Sequence, residues 1–579
     1  MSGQTVEFLG TTYQIKTWNG ERLGTQIAID TETELINGPS HIPELITCQV
    51  FDGKQAVYYV PIQSLKRFFN VHSRSTFIAH NAAFDLTVLR TYIGDDLFFE
   101  LYDENRILDT SVLYRLLVLA IEGEVPFKYN LSLLSKIFLG QELDKNEEIR
   151  LGFAKFRDTE IGHIPENFLR YAAIDAIATF LILHRMLPHI NNHDKFGTML
   201  SQHIQVKGEI ALRSIERNGI GFDLKARDTW LLVQDERLKI LSERLSNWGW
   251  VRGLKGNSKR FEEVLAFLGI KDLLPLTETG DVSTKAADLE PYIQHAFIKD
   301  YLEFMEIEKA TSFVRDISSS RVHSRYTSIL NTGRTSCSKP NVQQLPRVGG
   351  IRELFVAEEG KVFIDIDYNS IELSTLAQVC YTNYGFSNLG DLINSGECPH
   401  YYTATKVYRK SKDKISKEER QFSKIPNFAF PTNMSPTTFI DYCRGYNVPM
   451  TLEQAIDLKN AYAEAYPEIS ERFWKVPRNE TSSITLTGRV RANCTYTAYL
   501  NTKFQGLAAD GLKLTLYEIF KLGYTIVAEV HDQIMVEIIN IEPEKHLAKI
   551  QSIMVESMKK VVPNIAVRTE GKVSKVWEK

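Results

Sequence analysis

Short apolar segments that run into carboxylates recur along the first 190 residues of the chain. Residues 24–34, GTQIAIDTETE, read as a buried strand ending in acids, and alternating strand and helix patterns continue to about residue 190. Asp30 and Glu32 stand two residues apart, and the period of two in a strand places both carboxylates on one face. The pattern predicts an α/β domain with an acidic strand end.

A D-x-E pair alone is a weak signal, because solvated strand ends often carry acids. Two later segments add to it. AHNAAFDLTVL supplies Asp85 after an apolar strand, and FLRYAAIDAIATFLI places Tyr171 and Asp175 four residues apart on one helix face. Asp175 lies in an apolar stretch, where burying an unpaired carboxylate is costly unless a cation compensates it. Converging acids of this kind indicate divalent metals and phosphodiester cleavage.

Over residues 20–190 the chain resembles the DEDD-type 3'-to-5' exonucleases with a tyrosine in the third motif, as in the proofreading domain of family A DNA polymerases. The resemblance implies a ribonuclease H-like exonuclease domain. It assigns Tyr171 as the catalytic residue that orients the attacking water, and it assigns four metal ligands: Asp30, Glu32, Asp85 and Asp175.

Two further acids stand at an apolar strand end and at a turn. Asp367, in FIDIDYNSIELS, follows an apolar strand, and Asp532 lies at the centre of YTIVAEVHDQIMVEI, which alternates as a hairpin does. Either acid alone is more often a cap or a solvated turn residue. A helical insertion lies between them, and residues 205–325 read as a mostly helical module with a basic stretch, VRGLKGNSKR.

Five segments of this half occur in the order and approximate spacing of family A DNA polymerases: NTGRTSCSKPNVQQLP, DYNSIEL, RQFSKIPNF, LNTKFQGLAAD and VHD. The rest of the chain therefore resembles that family. The resemblance implies an α/β and α+β multidomain protein, in which a right-hand polymerase follows the exonuclease domain. The expected domains are the exonuclease domain 1–195, the thumb 196–325, the first part of the palm 326–394, the fingers 395–480 and the second part of the palm 481–579.

The resemblance also assigns the catalytic residues of the polymerase site. Asp367 and Asp532 would hold two Mg²⁺ ions, as the acids of the exonuclease site would, with Mn²⁺ as a substitute. Arg420 and Lys424 are four residues apart, so one helix face would offer both cations to a triphosphate, and Lys424 is counted as catalytic. The alternative for this basic segment is a solvated helix face.

Further nucleotide contacts are implied by the same resemblance. Phe428 would face the sugar and base, and Glu372 would exclude a ribose 2'-hydroxyl. Tyr368 would also contact the nucleotide, and His400 would be an additional triphosphate contact, although a lone histidine is more often a packed surface residue.

The residues expected to contact DNA fall into two groups. The first follows the primer-template, where minor-groove acceptors common to all base pairs allow sequence-independent checking, and comprises Arg334, Asn341, Gln343, Asn501, Gln505 and His531. The second grips duplex phosphates at the thumb tip, and comprises Lys255, Lys259 and Arg260. Turn and cap chemistry is the alternative explanation for the first group.

The fingers segment departs from the family pattern. Thr432 and Asn433 stand where a tyrosine and a glycine are usual, and Pro426 and Pro431 interrupt the helix. We expect a kink near residue 426 and a helix end near residue 430. Other departures are Gln533 for a glutamate, Ser370 for a glutamine, and Ser374 and Thr497 for arginines. Because the principal acids are retained, the prediction is an active polymerase with altered fidelity or substrate preference.

Composition and motifs limit the other possibilities. The net charge of −4 does not exclude nucleic acid, since phosphate binding needs only a local basic surface. The six Cys residues are far apart in sequence and form no C-x-x-C motif, so the sequence predicts no thiolate zinc site. The same spacing favours a protein that resides in a reducing compartment. The N-terminal segment lacks the features of a signal peptide, and no run of about 18 apolar residues follows. We therefore expect a cytoplasmic protein without a membrane segment.

The remaining expectations concern partners. Primer-template DNA and deoxynucleoside triphosphates are the expected ligands, the protein is expected to be a monomer, and neither a 5' nuclease domain nor a thumb insertion for a processivity factor is expected. These features resemble a phage or viral replicative polymerase in a host cytoplasm, with a cellular repair enzyme as the alternative. Two rival functions are an exonuclease whose degenerate polymerase half only holds DNA, and a non-catalytic nucleic-acid-binding scaffold.

Overall fold

A seven-stranded mixed sheet forms the N-terminal part of the computed structural model, which describes residues 4–144, 146–277, 280–346, 349–446, 448–477 and 479–578. Its strands are β1 (Thr5–Phe8), β2 (Thr11–Thr17), β3 (Gln26–Thr33), β4 (Leu45–Phe51), β5 (Ala56–Tyr59), β6 (Thr76–Ala79) and β7 (Ile107–Asp109). Their order is β1-β2-β5-β4-β3-β6-β7, with β3 antiparallel to β4 and parallel to β6. The strand predicted around the first acids is thus an interior strand of the sheet.

Helices cover this sheet and connect its strands. They are α1 (Leu65–Val71), α2 (Ala82–Ile93), α3 (Asp95–Asp103), α4 (Thr110–Glu122), α5 (Leu131–Leu139), α6 (Glu147–Gly152) and α7 (Glu166–His193). Helix α7 packs on β3 and β4. By length and composition α7 could also cross a membrane, which the search for continuous apolar runs in the sequence did not detect. Half of its most apolar window is buried inside the fold, as in the core helix of a globular domain.

A helical segment follows and has a small core of its own. Its elements are α8 (Gln202–Asn218), β8 (Ile220–Gly221), α9 (Leu224–Ser246), α10 (Asn257–Phe267), α11 (Ala286–Leu289), α12 (Ala296–Arg315) and β9 (Arg321–Val322). Aromatic side chains dominate this core, where the ring of Trp250 lies 5.3 Å from that of Tyr301 and 5.7 Å from that of Phe304. The helical module predicted from the charge and hydropathy pattern is therefore present.

The C-terminal part is built on a four-stranded antiparallel sheet. Its elements are β10 (Arg325–Thr327), β11 (Ser336–Ser338), β12 (Lys361–Tyr368), α13 (Ile371–Tyr384), α14 (Asn388–Asn394), α15 (Pro399–Tyr408), α16 (Lys417–Phe422), α17 (Lys424–Ala429), α18 (Pro436–Arg444), α19 (Leu452–Ala465), β13 (Ser483–Ile484), β14 (Val490–Arg491), α20 (Tyr496–Lys521), β15 (Thr525–Val530), β16 (Gln533–Ile539), α21 (Pro543–Lys559) and β17 (Thr569–Ser574). The sheet order is β15-β16-β12-β17. The predicted hairpin is β15–β16, closed by a two-residue turn in which His531 has a φ of 64°.

Helices α8 and α20 pack together at a position that only glycine allows. A Cβ on Gly208 would lie 2.6 Å from Cγ and 2.8 Å from Cβ of Lys513, closer than such atoms approach in real structures. Because one of these atoms is the Cβ of Lys513, a change of side-chain rotamer cannot relieve the clash. The two helices must separate if residue 208 carries a side chain.

We expect Gly208→Ala to lower the free energy of unfolding by about 1–3 kcal/mol, the usual cost of overpacking, despite the better helix propensity of alanine. Urea unfolding followed by circular dichroism measures the change. Gly162→Ala is the matched control, since Gly162 is exposed and a Cβ there would meet no described atom within 4 Å. Equal unfolding midpoints for the two variants would contradict the close packing of α8 on α20.

Candidate functional site

Three of the four acids predicted in the N-terminal domain converge. Asp30 and Glu32 on β3 and Asp175 on α7 each place a carboxylate oxygen within 4.8 Å of the others. Burial, then the charges of Asp175 and Asp85, raises the pKa of Asp30 and of Glu32 well above the usual range. Such mutual repulsion in a buried site is what a divalent cation would relieve, so the residues present fit a metal.

Asp85 lies beside this group, in the first turn of α2. Its Oδ1 accepts hydrogen bonds from the backbone N–H of Thr31, at 3.1 Å, and from the Thr31 hydroxyl, at 2.6 Å. Burial raises its pKa to about 7. Asp85 is thus held against the strand that carries the other acids, although its ligand atoms are outside the group of three.

Tyr171 lies one helical turn before Asp175 and is half-buried. Burial, followed by the charges of Asp175, Glu32 and Asp30, raises the pKa of its hydroxyl, which therefore stays protonated at neutral pH. A protonated phenol beside three carboxylates can donate a hydrogen bond to a water or a phosphate oxygen. Arg150 on α6, which sequence reasoning missed, also influences Glu32 and Tyr171 electrostatically.

Sequence reasoning also missed Asp109, whose side chain accepts hydrogen bonds at the N-terminal ends of two helices. Its carboxylate accepts from the backbone N–H groups of Asn81 and Ala82 at the start of α2, at 3.1 and 2.7 Å. It also caps α4 through the N–H groups of Ser111 and Val112. The position of Asp85 in the first turn of α2 therefore depends on an acid 24 residues away, with no local sequence signal.

A second acidic site lies in a cavity of about 980 Å³ in the C-terminal part. Asp367 is the second-to-last residue of β12, and Asp532 lies in the turn between β15 and β16, where its carbonyl oxygen accepts from the Tyr368 N–H at 3.3 Å. Burial, then the charges of Asp532, Asp365 and Glu570, raises the pKa of Asp367 to about 7. Among the described residues, no group donates to the buried Oδ1 of Asp367, an arrangement that fits a metal ligand.

All six predicted nucleotide contacts line this same cavity: Tyr368, Glu372, His400, Arg420, Lys424 and Phe428. So do three of the predicted DNA contacts: Arg334, Gln505 and His531. The hydroxyl of Tyr368 points away into the core, where it contacts Thr515 at 2.7 Å and donates to the Met554 carbonyl at 2.8 Å. Only the remainder of its ring and its backbone can border a ligand.

The two predicted triphosphate cations stand on separate helices. Helix α16 ends at Phe422 and α17 begins at Lys424, so the interruption falls at Ser423 rather than near Pro426. The reason is that the Pro426 ring would crowd the carbonyl of Phe422, four residues before it, and has no N–H to donate to it. Helix α17 ends at Ala429, as predicted. Arg420, Lys424 and Phe428 still line one cavity.

His400 is buried beside the two cations and is held in one tautomer. The side-chain amide of Asn427 donates to its Nδ1 at 2.9 Å, which places the ring proton on Nε2. Burial, then the charges of Lys424 and Arg420, lowers its pKa to about 4. His400 can therefore offer a neutral N–H donor to an anion at neutral pH.

Glu372 forms an ion pair with Arg334, a contact that the sequence did not suggest. Burial raises the pKa of Glu372, while Arg334 and a hydrogen bond from Gln505 lower it. The predicted sugar-excluding residue and two predicted DNA contacts therefore form one cluster. Removing any of the three changes the charge environment of the other two.

Gln533 has its own partner beside the metal-type acids. Its side-chain amide donates to Oδ1 of Asp365 at 2.6 Å, while its backbone pairs with Asp367 across β12 and β16. A glutamate at position 533 would repel the buried Asp365 carboxylate. The neutral amide of Gln533 instead donates a hydrogen bond to this carboxylate. This contact explains why a glutamine is stable at position 533.

Other predicted DNA contacts lie outside the cavity. The side-chain amide of Gln343 donates to Thr335 at 3.1 Å and to the buried Glu529 at 3.0 Å. The side-chain oxygens (Oδ1) of Asn341 and Asn501 are buried and have no hydrogen-bond partner among the described residues. At the tip of the helical module, Lys255 and Lys259 are exposed, whereas Arg260 donates to the Trp248 carbonyl and pairs with Glu263.

Residues that sequence reasoning missed also line the cavity, among them Tyr442 on α18, Tyr446 in the turn after it, Arg568 just before β17 and Glu570 on β17. The spacing of four between the tyrosines, as in a helix, is a signal that could have found them. Glu570 pairs in register with Asp367, and only knowledge of the strand pairing reveals it.

Comparison with known proteins gives two family matches. Residues 256–579 match DNA polymerase family A, and residues 12–191 match a 3'-5' exonuclease family. The chain is similar to DNA polymerase I of Aquifex aeolicus, at 26% identity over 90% of both chains. It is 24% identical to DNA polymerase I of Borreliella burgdorferi over 95% of this chain and 62% of the relative. Against thermostable DNA polymerase I of Thermus thermophilus the identity is 28%, over 61% of this chain and 45% of the relative.

A solved structure shares the fold. The polymerase domain of Pol1 from M. smegmatis, in complex with DNA primer-template and dNTP, aligns with a TM-score of 0.73 at 18% identity, over 96% of both chains. Together with the family matches, this similarity confirms the predicted fold class and the predicted order of an exonuclease domain followed by a polymerase domain.

The raised pKa of Asp367 predicts a pH dependence of stability in the metal-free protein. An unfolded aspartate has a pKa near 3.9, so between about pH 4 and pH 7 the folded protein retains a proton that the unfolded chain has released. The contribution of Asp367 to the free energy of unfolding is therefore lost as the pH rises through about 7.

Asp367→Asn removes this titration. In the presence of a chelator, we expect the variant to lose less stability than the parent between pH 5 and pH 7, measured by urea unfolding at both pH values. Asp413→Asn, at an exposed position, is the control and should follow the parent. An Asp367→Asn variant that loses as much stability as the parent would contradict the raised pKa of Asp367, of which burial is the main cause and the charge of Asp532 the next.

Proposed function

The chain belongs to DNA polymerase family A and carries a 3'-5' exonuclease domain, and from this membership we propose that it extends DNA primers on a template and removes mismatched 3' ends. One observation carries the proposal. A single cavity gathers two carboxylates, Asp367 and Asp532, with the basic residues Arg420 and Lys424 and the neutral donor His400. That combination suits a nucleoside triphosphate approaching a primer terminus.

Each acidic site would hold two divalent cations, with Mg²⁺ as the proposed ion. When bound, such ions lower the pKa of the attacking hydroxyl or water and stabilise the leaving oxygen. At the polymerase site Asp367 and Asp532 would be the ligands. At the exonuclease site they would be Asp30, Glu32, Asp85 and Asp175. The two sets share no residue, so the activities are separable.

The other residues bind and orient the substrates. Arg420 and Lys424 neutralise the triphosphate, and His400 donates from Nε2 to a phosphate oxygen. Glu372, fixed by Arg334, occupies the space of a 2'-hydroxyl, while Phe428 borders the sugar and base. In the exonuclease site the protonated Tyr171 orients the attacking water.

We assign the domain boundaries as the sequence predicts them: exonuclease 1–195, thumb 196–325, palm 326–394 and 481–579, and fingers 395–480. Lys255 and Lys259 at the thumb tip would contact the duplex phosphates. Primer-template DNA and deoxynucleoside triphosphates are the proposed ligands. The monomeric state, the cytoplasmic location and a replicative role in a phage or virus stay predictions.

Separate metal ligands predict separable activities. Asp30→Ala with Glu32→Ala should abolish degradation of a mismatched 3' end and leave extension nearly intact, because the polymerase acids are untouched. Asp532→Ala should do the reverse. A 5'-labelled primer-template incubated with Mg²⁺, with and without deoxynucleotides, measures both activities on one gel.

Each variant is the control for the other. Undiminished degradation by the double variant would refute the exonuclease site, and parental extension by Asp532→Ala would refute the polymerase site. A parent that degrades primers but never extends them would favour the rival function, an exonuclease whose polymerase half only holds DNA. A parent that does neither would favour a nucleic-acid-binding scaffold.

The position of Glu372 predicts its effect on sugar selection. Glu372→Ala should raise the ratio of ribonucleotide to deoxynucleotide kcat/KM, because it removes an exclusion. Deoxynucleotide use should fall, since Arg334 loses its partner. Single-nucleotide kinetics with paired ribo- and deoxynucleotides measure the ratio. Arg334→Ala is the control, because it breaks the ion pair but leaves the carboxylate in place; an equal gain in both variants would show that Glu372 is not the gate.

A further inference from the structure

The position where family resemblance expects a tyrosine contributes nothing to the cavity. Thr432 stands there, in a 3-10 turn over Phe430–Thr432, and its hydroxyl donates to the Ala429 carbonyl at 3.2 Å. Thr432 is not among the described residues that line the cavity. If an aromatic residue other than Phe428 is to pack against the nucleotide, another segment must supply it.

Helix α18 and the turn that follows it each supply an aromatic residue. Tyr442 on α18 and Tyr446, two residues beyond the helix end at Arg444, both line the cavity. Their rings contact edge to face with centroids 5.3 Å apart, and their hydroxyl oxygens are 3.2 Å apart. Tyr442 is half-buried and Tyr446 is 54% exposed, so Tyr446 supports Tyr442 from the solvent side.

The orientation of α18 is fixed by its buried side chains. Phe439 and Cys443, also one turn apart, are fully buried, and the ring of Phe439 lies 4.4 Å from that of Phe430. Pro436 starts the helix, with the Ser435 side chain as its N-cap. With Phe439 and Cys443 held in the core, the adjacent side of α18, which carries Tyr442, faces the cavity.

The surroundings of Tyr442 indicate which part of a ligand it meets. Burial raises the pKa of its hydroxyl, and the charge of Glu372 contributes, which places the phenol near the proposed sugar-excluding carboxylate. Phe428 lines the same cavity, together with the cations proposed to bind the triphosphate. A nucleotide with its phosphates at those cations and its sugar at Glu372 would have its base between the aromatic residues.

We propose that Tyr442 is a nucleotide-binding residue that packs against the sugar and base of the incoming nucleotide, in place of the aromatic residue absent at position 432. The inference deepens the proposed function and rests on it. Aromatic side chains suit this task because every base offers a π-face, so the contact favours no particular base.

Nucleotide binding without chemistry tests the inference. A dideoxy-terminated primer-template is mixed with the protein carrying Asp30→Ala and Glu32→Ala, which prevents removal of the terminus, and with the nucleotide complementary to the next template base; the dissociation constant is read from the resistance of the complex to competitor DNA. Primer extension is measured in parallel for KM and kcat. The variants are Tyr442→Ala, Tyr442→Leu, Tyr442→Phe and, as the control, Tyr381→Ala at an exposed position outside the cavity.

We expect Tyr442→Ala and Tyr442→Leu to raise the dissociation constant and KM about tenfold, as for the loss of one stacking contact, with kcat changed less than about threefold. Tyr442→Phe keeps the ring and should bind nearly as the parent does. Tyr442→Leu keeps an apolar side chain on α18, so it remains informative if the alanine variant is unstable.

Parental dissociation constants for Tyr442→Ala and Tyr442→Leu would overturn the inference, and so would an equal loss in Tyr381→Ala. A parent that binds the nucleotide but extends no primer would refute the proposed polymerase activity, while the binding constants would still decide the role of Tyr442. A parent that binds no complementary nucleotide would overturn both.

Discussion

A buried lysine holds the two halves of the molecule together. Lys513 on α20 is fully buried, and it donates from Nζ to the Gly333 carbonyl at 2.7 Å and to the Gln205 side chain on α8. Burial lowers its pKa to about 7. A buried charge costs several kcal/mol unless it is hydrogen-bonded, so these acceptors must stay in place. Gly333 precedes Arg334, and the lysine thereby locates a residue of the polymerase cavity. The same helix α8 reaches the exonuclease domain, because Gln202 accepts from the Asp109 N–H at 2.9 Å.

The two acidic sites differ from the buried ion pair between α4 and α8. Arg115 and Glu209 are both buried, and they satisfy each other at 2.7 Å. The acids at the two sites instead face other acids, and burial raises their pKa values. At these two places several carboxylates repel one another within one site, and cations from solution would relieve that repulsion. This contrast, rather than the number of acids, is the physical argument for metals.

Local patterns predicted the strand ends, the hairpin turn and the end of the fingers helix, because each depends on neighbours in sequence. Asp30, Asp367 and Asp532 were found in this way. Contacts between distant segments could not be predicted from spacing. The pairing of Arg334 with Glu372 and the bond from Gln343 to Glu529 join segments 38 and 186 residues apart. The predicted kink at Pro426 appears instead at Ser423 for a local reason, since a proline disturbs the turn before it.

The two prolines of the fingers connect this local chemistry to the cavity. Pro426 divides the helix but leaves Arg420, Lys424 and Phe428 on one wall, because the cavity requires proximity and not a continuous helix. Pro431 lies in the 3-10 turn, after which Asn433 adopts a left-handed conformation with a φ of 58° and the chain reverses into α18. The reversal removes position 432 from the cavity and brings a different helix to it. A cavity can therefore keep an aromatic wall although the sequence motif has lost its aromatic residue at position 432. The turn that takes Thr432 away from the cavity also sets the direction of α18, and with it the position of Tyr442.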